Sequence, residues 1–406
     1  MMHPIQPRPL WAGRTLALLG IVLVAFNLRT AVASLSPIIV QLEQDVPLSP
    51  VIVGLLGMLP PLCYAVFGIA TPALAKRVGL EIALIGSLVA LVVGLAGRGL
   101  AGDALWLVAA STLTFAAIGV GNVLLPPLVK RYFPDRIGLM TTLYVTAMSV
   151  STFTPPLIAV PVADAAGWRV SLGLWAVVAA VALLPWLALL VHPRRQSEDE
   201  LPEGVAPGLL RFALRSPLAW AVTILFMVSG FTAYSIFAWL PAILQETAGA
   251  SPAEAGALLS LFAAMGLPAA LVVPVVAARH GRIRLMVGIA SATIVAGYAG
   301  LILAPAVATW LWVSLAGIGT LLFPLALVLV NLRTRTHEGA VALSGFVQSA
   351  GYLMVAVGPF AVGVLRDLTG GWFWPLLFLL GSAIPAAIAG LVASRPRYLE
   401  DEHAEA

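Results

Sequence analysis

Twelve separate stretches of about twenty mostly apolar residues constrain this chain more than any motif in it, because that is the length an α-helix needs to cross the hydrocarbon core of a bilayer. They fall near 15–39, 51–75, 81–100, 104–128, 138–162, 169–191, 218–243, 254–277, 284–304, 308–332, 340–365 and 373–393. No water is present in that layer to receive backbone polar groups, so each stretch is predicted to be helical. Composition agrees: 61% of the 406 residues are hydrophobic and 10% are charged, against about 25% charged in an ordinary soluble domain. Mean hydropathy is +1.02. The expectation is an all-α membrane protein with the bilayer as its solvent, and a soluble enzyme is excluded. Cys63 is the one cysteine and cannot pair within the chain; with five scattered histidines it forms no metal framework, so no metal or other cofactor is expected. Arg8 and Arg14 precede the first stretch with no small-residue cleavage site after it, which reads as a retained helix and not a signal peptide.

A sequence pI of about 9.5 raises the question of nucleic acid, and the position of the basic residues answers it. With the N-terminus inside, 18 of the 22 Lys and Arg residues fall in cytoplasmic segments, while the outer loops hold Arg98, Arg169 and Arg366. Positively charged loops stay cytoplasmic, so this is a topology signal with both termini inside, and no nucleic-acid partner is expected. The one basic residue left over is Arg29.

The longest polar stretch, 193–217, reads as a cytoplasmic linker between a six-helix bundle over 1–192 and a second over 218–394, with a cytoplasmic tail at 395–406. An internal repeat supports the division. Gly54, Pro72 and Gly79 recur as Gly256, Pro274 and Gly281 at an offset of 202. Gly119-Val-Gly-Asn-Val-Leu-Leu-Pro126 recurs as Gly317-Ile-Gly-Thr-Leu-Leu-Phe-Pro324 at an offset of 198. An Asp-x-x-Gly turn then ends in Trp168 or Trp372, and Pro156 corresponds to Pro359. Two pseudo-symmetric six-helix bundles of one orientation resemble the plan of the major facilitator superfamily, in which the substrate site lies near the midplane between the halves.

Arg29 lies about halfway along the first stretch. A central Arg costs about 2.5 to 3.5 kcal/mol even on insertion-based scales, and such residues usually face a cavity on a substrate path. Its planar guanidinium stays charged and can grip two oxygens of an anion. An arginine that only snorkels or bonds helix carbonyls is the alternative. No Asp, Glu or His occupies the middle of any span, so Arg29 has no carboxylate partner in the sequence and no protonatable carrier beside it. A hydrated cavity with an anionic or electron-rich substrate resolves that cost; a coupling proton carried by the substrate stays compatible with it.

Candidate companions are polar or aromatic. Ser344, Gln348 and Tyr352 lie four apart on one face of the eleventh span, and Ser111, Phe115 and Asn122 form a similar stripe on the fourth. Asn27, Asn122 and Gln348 would equally serve as glue between helices. Tyr64, Tyr144, Tyr234 and Phe237 are candidates to line a pocket, and Trp239 is expected at the membrane interface. Pro126, Pro156 and Pro359 interrupt helical hydrogen bonds and are candidates for bending during transport, with ordinary packing as the alternative.

After the second span, Gly68, Pro72, Ala75, Lys76 and Arg77 keep the spacing of the superfamily's Gly-x3-Asp-x2-Gly-Arg-Lys loop. The basic pair Lys76 and Arg77 survives as a gating candidate, but Pro72 stands where the acid of a gating salt bridge would be. A narrower set comprises Asn27-Leu28-Arg29 with Ser34 and Pro37, Gly121-Asn122 with Pro126, Lys130-Arg131-Tyr-Phe-Pro134, and Gly167-Trp168-Arg169. Late in the chain it continues with Ser344, Gln348, Gly351-Tyr352, Gly358-Pro359 and Asp367 to Trp372. Together these resemble the cyanate and 2-nitroimidazole transporter (CynX/NimT) family. The resemblance implies a bacterial inner-membrane permease, working as a monomer by alternating access on a small anionic or nitrogen-rich solute. The other reading is an exporter of neutral or weakly basic drugs, which predicts a broad aromatic pocket and little dependence on Arg29. No Gly-x4-Gly-Lys-Ser/Thr string is present for ATP, and the spans carry no nucleophile, base or metal cluster of an enzyme.

Overall fold

The structure is a computed structural model and describes residues 14–190 and 213–404. Most of the 193–217 linker lies outside the described residues. In chain order the helices are α1 (Thr15–Thr30), α2 (Ile39–Leu42), α3 (Pro50–Val78), α4 (Leu80–Gly99), α5 (Ala104–Tyr132), α6 (Ile137–Ala166) and α7 (Trp168–Leu190). After the linker come α8 (Pro217–Ala248), α9 (Pro252–Ala264), α10 (Gly266–His280), α11 (Ile283–Leu303), α12 (Thr309–Ile318), α13 (Leu322–Leu332), α14 (His337–Thr369), α15 (Phe373–Gly381), α16 (Ala383–Ala393) and α17 (Leu399–Ala404). By length and apolarity 11 of the described helical stretches can each cross a membrane, taking α9–α10, α12–α13 and α15–α16 as one stretch apiece. α1 is as apolar but shorter.

That shortness departs from the single helix expected over 15–39. The chain leaves the helix after Thr30, runs without helical order through Leu35, and resumes as a 3-10 turn at Ser36–Ile38 before α2. Pro37 sits at the start of the 3-10 turn that follows the break, where its missing N–H costs no helical bond. Arg29 therefore stands in the last turn of a helix that stops at the site.

Local chemistry sets the other ends. Ser49 and Ser251 cap α3 and α9 by accepting from Ile52 N and Glu254 N, each with Pro at the first helical position. These two Ser-Pro caps stand 202 residues apart, the offset of the glycine repeat. Gly79 and Gly281, also at that offset, both end their helices at positive φ, 91° and 61°, where a side chain would strain the backbone.

Two cores form. One draws on residues from Ala17 to Trp186, the other on residues from Ala213 to Leu399 with Ala33 and Val53 reaching in from the first half. In lipid, apolar contact between helices gains little over contact with lipid, so close approach and hydrogen bonds carry the association. Ser171 Oγ donates to Ala159 O at 2.8 Å and Ser229 Oγ to Thr320 O at 2.9 Å. Large apolar side chains such as Ile69, Leu105, Leu184 and Ile384 point outward, as a lipid-facing surface requires.

The loops near residues 79, 134, 282 and 335 define a basic end. There Arg14 pairs with Asp135, Arg131 with Glu81, and Arg335 with Asp401. At the far end, Arg169 pairs with Asp45 and Arg366 with Glu246. The halves meet toward the far end. A Cβ on Gly54 of α3 would stand 3.0 Å from Pro359 O of α14, and one on Gly256 of α9 would stand 2.6 Å from Pro156 O of α6. Ser36 Oγ closes the same region by donating to Phe237 O at 2.6 Å.

Two expectations are corrected here. Arg98, assigned above to an outer loop, belongs to the last turn of α4 and is 1% exposed. Trp239 is no interface anchor: it is buried, donates Nε1–H to Pro359 O at 2.9 Å, and stacks at a tilt on Trp372.

At the basic end the C-terminal helix α17 folds back. Glu400 accepts from Arg335 N, Thr336 N and Thr336 Oγ, and Glu402 accepts from Ser216 Oγ. Partial burial disfavours the Glu400 carboxylate, but the donors outweigh that and hold its pKa below the usual value of 4.5. A depressed carboxylate contributes stability that is present above the unfolded value and lost as pH falls through the folded one. The unfolding midpoint should therefore drop on acidification below about pH 4.5, and Glu400→Gln should flatten that drop. An equal acid slope in the variant would show that this clasp does not contribute.

Candidate functional site

Arg29 comes off the end of α1 into the space between the two halves. Its guanidinium stands over the Tyr64 ring of α3, 5.7 Å from the centroid. Tyr64 makes edge contacts with Tyr352 of α14 at 5.6 Å and Tyr234 of α8 at 6.5 Å. These three phenols are the electrostatic neighbours of the guanidinium. The aromatic wall continues from Tyr234 to Phe237 and Phe262, and from Tyr352 to Phe226. One cation from the first half is thus enclosed by rings from both halves, and contact between a cation and a ring face is worth about 0.5 to 2 kcal/mol.

That contact does not satisfy the donors. The Tyr64 and Tyr352 hydroxyls lie within polar reach of the guanidinium, yet Arg29 Nη1 is buried without a well-formed hydrogen bond. Among the described residues no carboxylate lies within ion-pair distance of Arg29, and no cluster of His, Cys, Asp and Glu is placed to hold a metal. A buried donor without a partner costs about 1 to 3 kcal/mol, more when charged. The site therefore favours an occupant that brings acceptor oxygens or nitrogens, negative charge, or both.

The structure gathers Arg29, Tyr64, Tyr234 and Tyr352 and separates other candidates from them. Asn27 is buried on the opposite side of α1, where Nδ2 donates to Leu23 O at 2.8 Å and to Val178 O of α7 at 3.5 Å. It joins helices. Asn122 donates to Ile118 O within its own helix; beside it, Gly121 lets α5 pass against Leu28, the neighbour of Arg29. Tyr144 packs half-buried on the first core. Gln348 donates to Ser344 Oγ at 2.8 Å and is exposed. These two continue the face of Tyr352 toward the basic end, so the interface that is packed at Tyr352 and Pro359 is open at Gln348. Lys76 and Arg77 are exposed at the end of α3. Pro126 leaves α5 continuous, whereas Pro156 and Pro359 present their carbonyls to the facing glycines Gly256 and Gly54.

One group escaped the reading of the sequence. Arg98 of α4 donates Nη1–H to Ala31 O at 3.1 Å, the first carbonyl past the end of α1, and lies 5.8 Å from the centroid of Phe115. Its place one residue from the end of an apolar run made it look like a loop arginine. The signal that could have found it was the Ser111 and Phe115 stripe one helix away.

Residues 18–359 match the model of the Major Facilitator Superfamily. The chain is 36% identical to the uncharacterized transporter YycB of Bacillus subtilis (strain 168), covering 94% of each chain. It is 31% identical to the 2-nitroimidazole transporter of Escherichia coli (strain K12), covering 95% of this chain and 97% of that one. With the cyanate transport protein CynX of the same strain it shares 29% identity over 89% of this chain and 92% of that one. A crystal structure of a bacterial homologue of the human lysosomal transporter Spinster superposes with a TM-score of 0.74 at 16% identity, over 97% of this chain and 99% of that one. That likeness shows the fold.

Proposed function

The chain belongs to the major facilitator superfamily, and from that premise we propose that it carries a small anionic solute across a bacterial inner membrane by alternating access, with Arg29 as the recognising group. The observation that carries this reading is a permanently charged guanidinium held between the halves with a buried, unpartnered N–H and no carboxylate in reach. The cyanate and nitroimidazole relatives support a small, nitrogen-rich solute. The bundles over 1–192 and 218–394 rock about this site as a monomer. The basic end, with both termini, faces the cytoplasm, and the form described here is inward-open, since its halves touch toward the far end and part at Gln348.

A second reading has its own support. The rings of Tyr64, Tyr234, Tyr352, Phe226, Phe237 and Phe262 form one connected aromatic surface, which suits a neutral nitroaromatic exported by stacking.

Thermal unfolding of the purified protein against a panel of small anions and neutral nitroimidazoles separates the two. A ligand bound only by the folded state at 100 times its Kd stabilises by about 2.7 kcal/mol. A saturable rise in the midpoint with one or more anions, absent with neutral compounds, is the expected result. A rise with neutral nitroimidazoles alone overturns the anion reading.

A further inference from the structure

Arg98 and Ser111 pose a problem that the Arg29 site does not answer. Arg98 is 1% exposed and Ser111 is 0% exposed. The bond to Ala31 O occupies Nη1 of Arg98, yet its Nε is buried with no partner, and so is Ser111 Oγ. Among the described residues no carboxylate is within ion-pair distance of Arg98.

Both side chains line one partly open cavity together with Ala31, Ser36, Phe115 and Phe237. About 30 Å³ of it is open to the centre of a water molecule, and about 10 to 15 Å³ suffices for one water, so it has room for water or for a small ion such as a halide. The cavity lies between the unwound stretch of the first span and the opening turns of α3, where the halves close, and so on the sealed side of Arg29.

The two orphaned groups select the occupant. A guanidinium N–H can only donate, and a serine hydroxyl can donate beside it, so the pair calls for an acceptor. Water would supply an acceptor but leave the guanidinium charge uncompensated in an interior that penalises unpaired charge. A cation is repelled.

We infer that Arg98 and Ser111 form a second site, for a small monovalent anion of halide size, distinct from Arg29. As a station for the transported solute it rests on the reading of Arg29 given above; as an anion site it does not. Arg98 also holds the end of α1 through Ala31 O, so an anion there and the break beside Arg29 share one side chain.

The test is the unfolding midpoint of the full chain titrated with sodium bromide, with gluconate holding ionic strength constant, in an Arg29→Gln background. A saturable bromide-dependent rise should persist in Arg29→Gln. Adding Ser111→Ala, which leaves the Ala31 tether intact, should weaken the apparent bromide affinity about tenfold, the effect of one charge-assisted hydrogen bond. Adding Arg98→Gln should abolish the rise; if that variant does not fold, the Ser111→Ala arm decides alone. Loss of all bromide response in Arg29→Gln, or an unchanged response on adding Ser111→Ala, overturns the second site. If Arg29→Gln transports like the wild type while Ser111→Ala still weakens bromide, the reading of Arg29 fails and this site stands.

Discussion

Arg29→Gln is expected to cut the transport kcat/KM for the anionic solute by about a hundredfold, since losing one partner of a buried charge pair costs about 2 to 5 kcal/mol and each 1.4 kcal/mol is a factor of ten. Proteoliposome uptake of the anion found in the unfolding screen measures it. Glutamine keeps length and hydrogen-bonding ability but not the charge or the two-pronged grip. Arg29→Lys should therefore recover part of the activity, because the charge returns without the fork. The fold should survive both changes, since Arg29 makes no ion pair among the described residues and either side chain keeps a stem of similar length beside Tyr64. Uptake near the wild-type level in Arg29→Gln would sink the recognition role and leave the aromatic surface as the selective element.

Gly256→Leu is expected to have the second large effect, by preventing closure at the far end. The facing Pro156 carbonyl would lie 2.6 Å from the first side-chain carbon, and a carbonyl on a helix cannot rotate away as a side chain can. Forced overpacking of this kind costs about 1 to 3 kcal/mol, borne only by the form in which α6 and α9 touch. The equilibrium should move about tenfold or more toward the form that is parted there. Uptake should fall, and a cysteine placed at Ser36 should react faster with a membrane-impermeant maleimide from the far side. Gly54→Leu should act alike through Pro359, which stands at 3.0 Å. Unchanged labelling with unchanged uptake would show that these contacts do not gate. Each glycine faces the proline of the other half, so the repeat seen as matched residues in the sequence is realised as two matched contacts.

How much of this was legible in the sequence depended on how local the cause was. The spans follow from apolar run length and, apart from the first, could be read directly, whereas Gly79 and Gly281 stood out in the sequence only as matched positions of the repeat. The grouping of Arg29, Tyr64, Tyr234 and Tyr352 was legible as a set of candidates but not as an arrangement. Nothing in spacing tells that Tyr64 meets Tyr352 while Tyr144 packs elsewhere, or that Asn27 turns to Val178. The break after Thr30 had no local signal, since Pro37 lies beyond it in the 3-10 turn, and the apolar run around it argued for one helix. Arg98 was misplaced because hydropathy weighs a residue's neighbours in sequence, whereas its burial comes from Ala31 just past α1 and Phe115 on α5.

The fold-back of α17 has a practical consequence. Glu400, Asp401 and Glu402 bind Thr336, Arg335 and Ser216, the last of these the cap of α8 that opens the second half. Among the described residues the last helix is thus a splint on the second half. A spectroscopic label on this tail, paired with one near Asp135, would follow the angle between the halves in real time without touching the transport path. The same splint means that a reagent prying the tail loose should soften one half while leaving the lever action of the other intact.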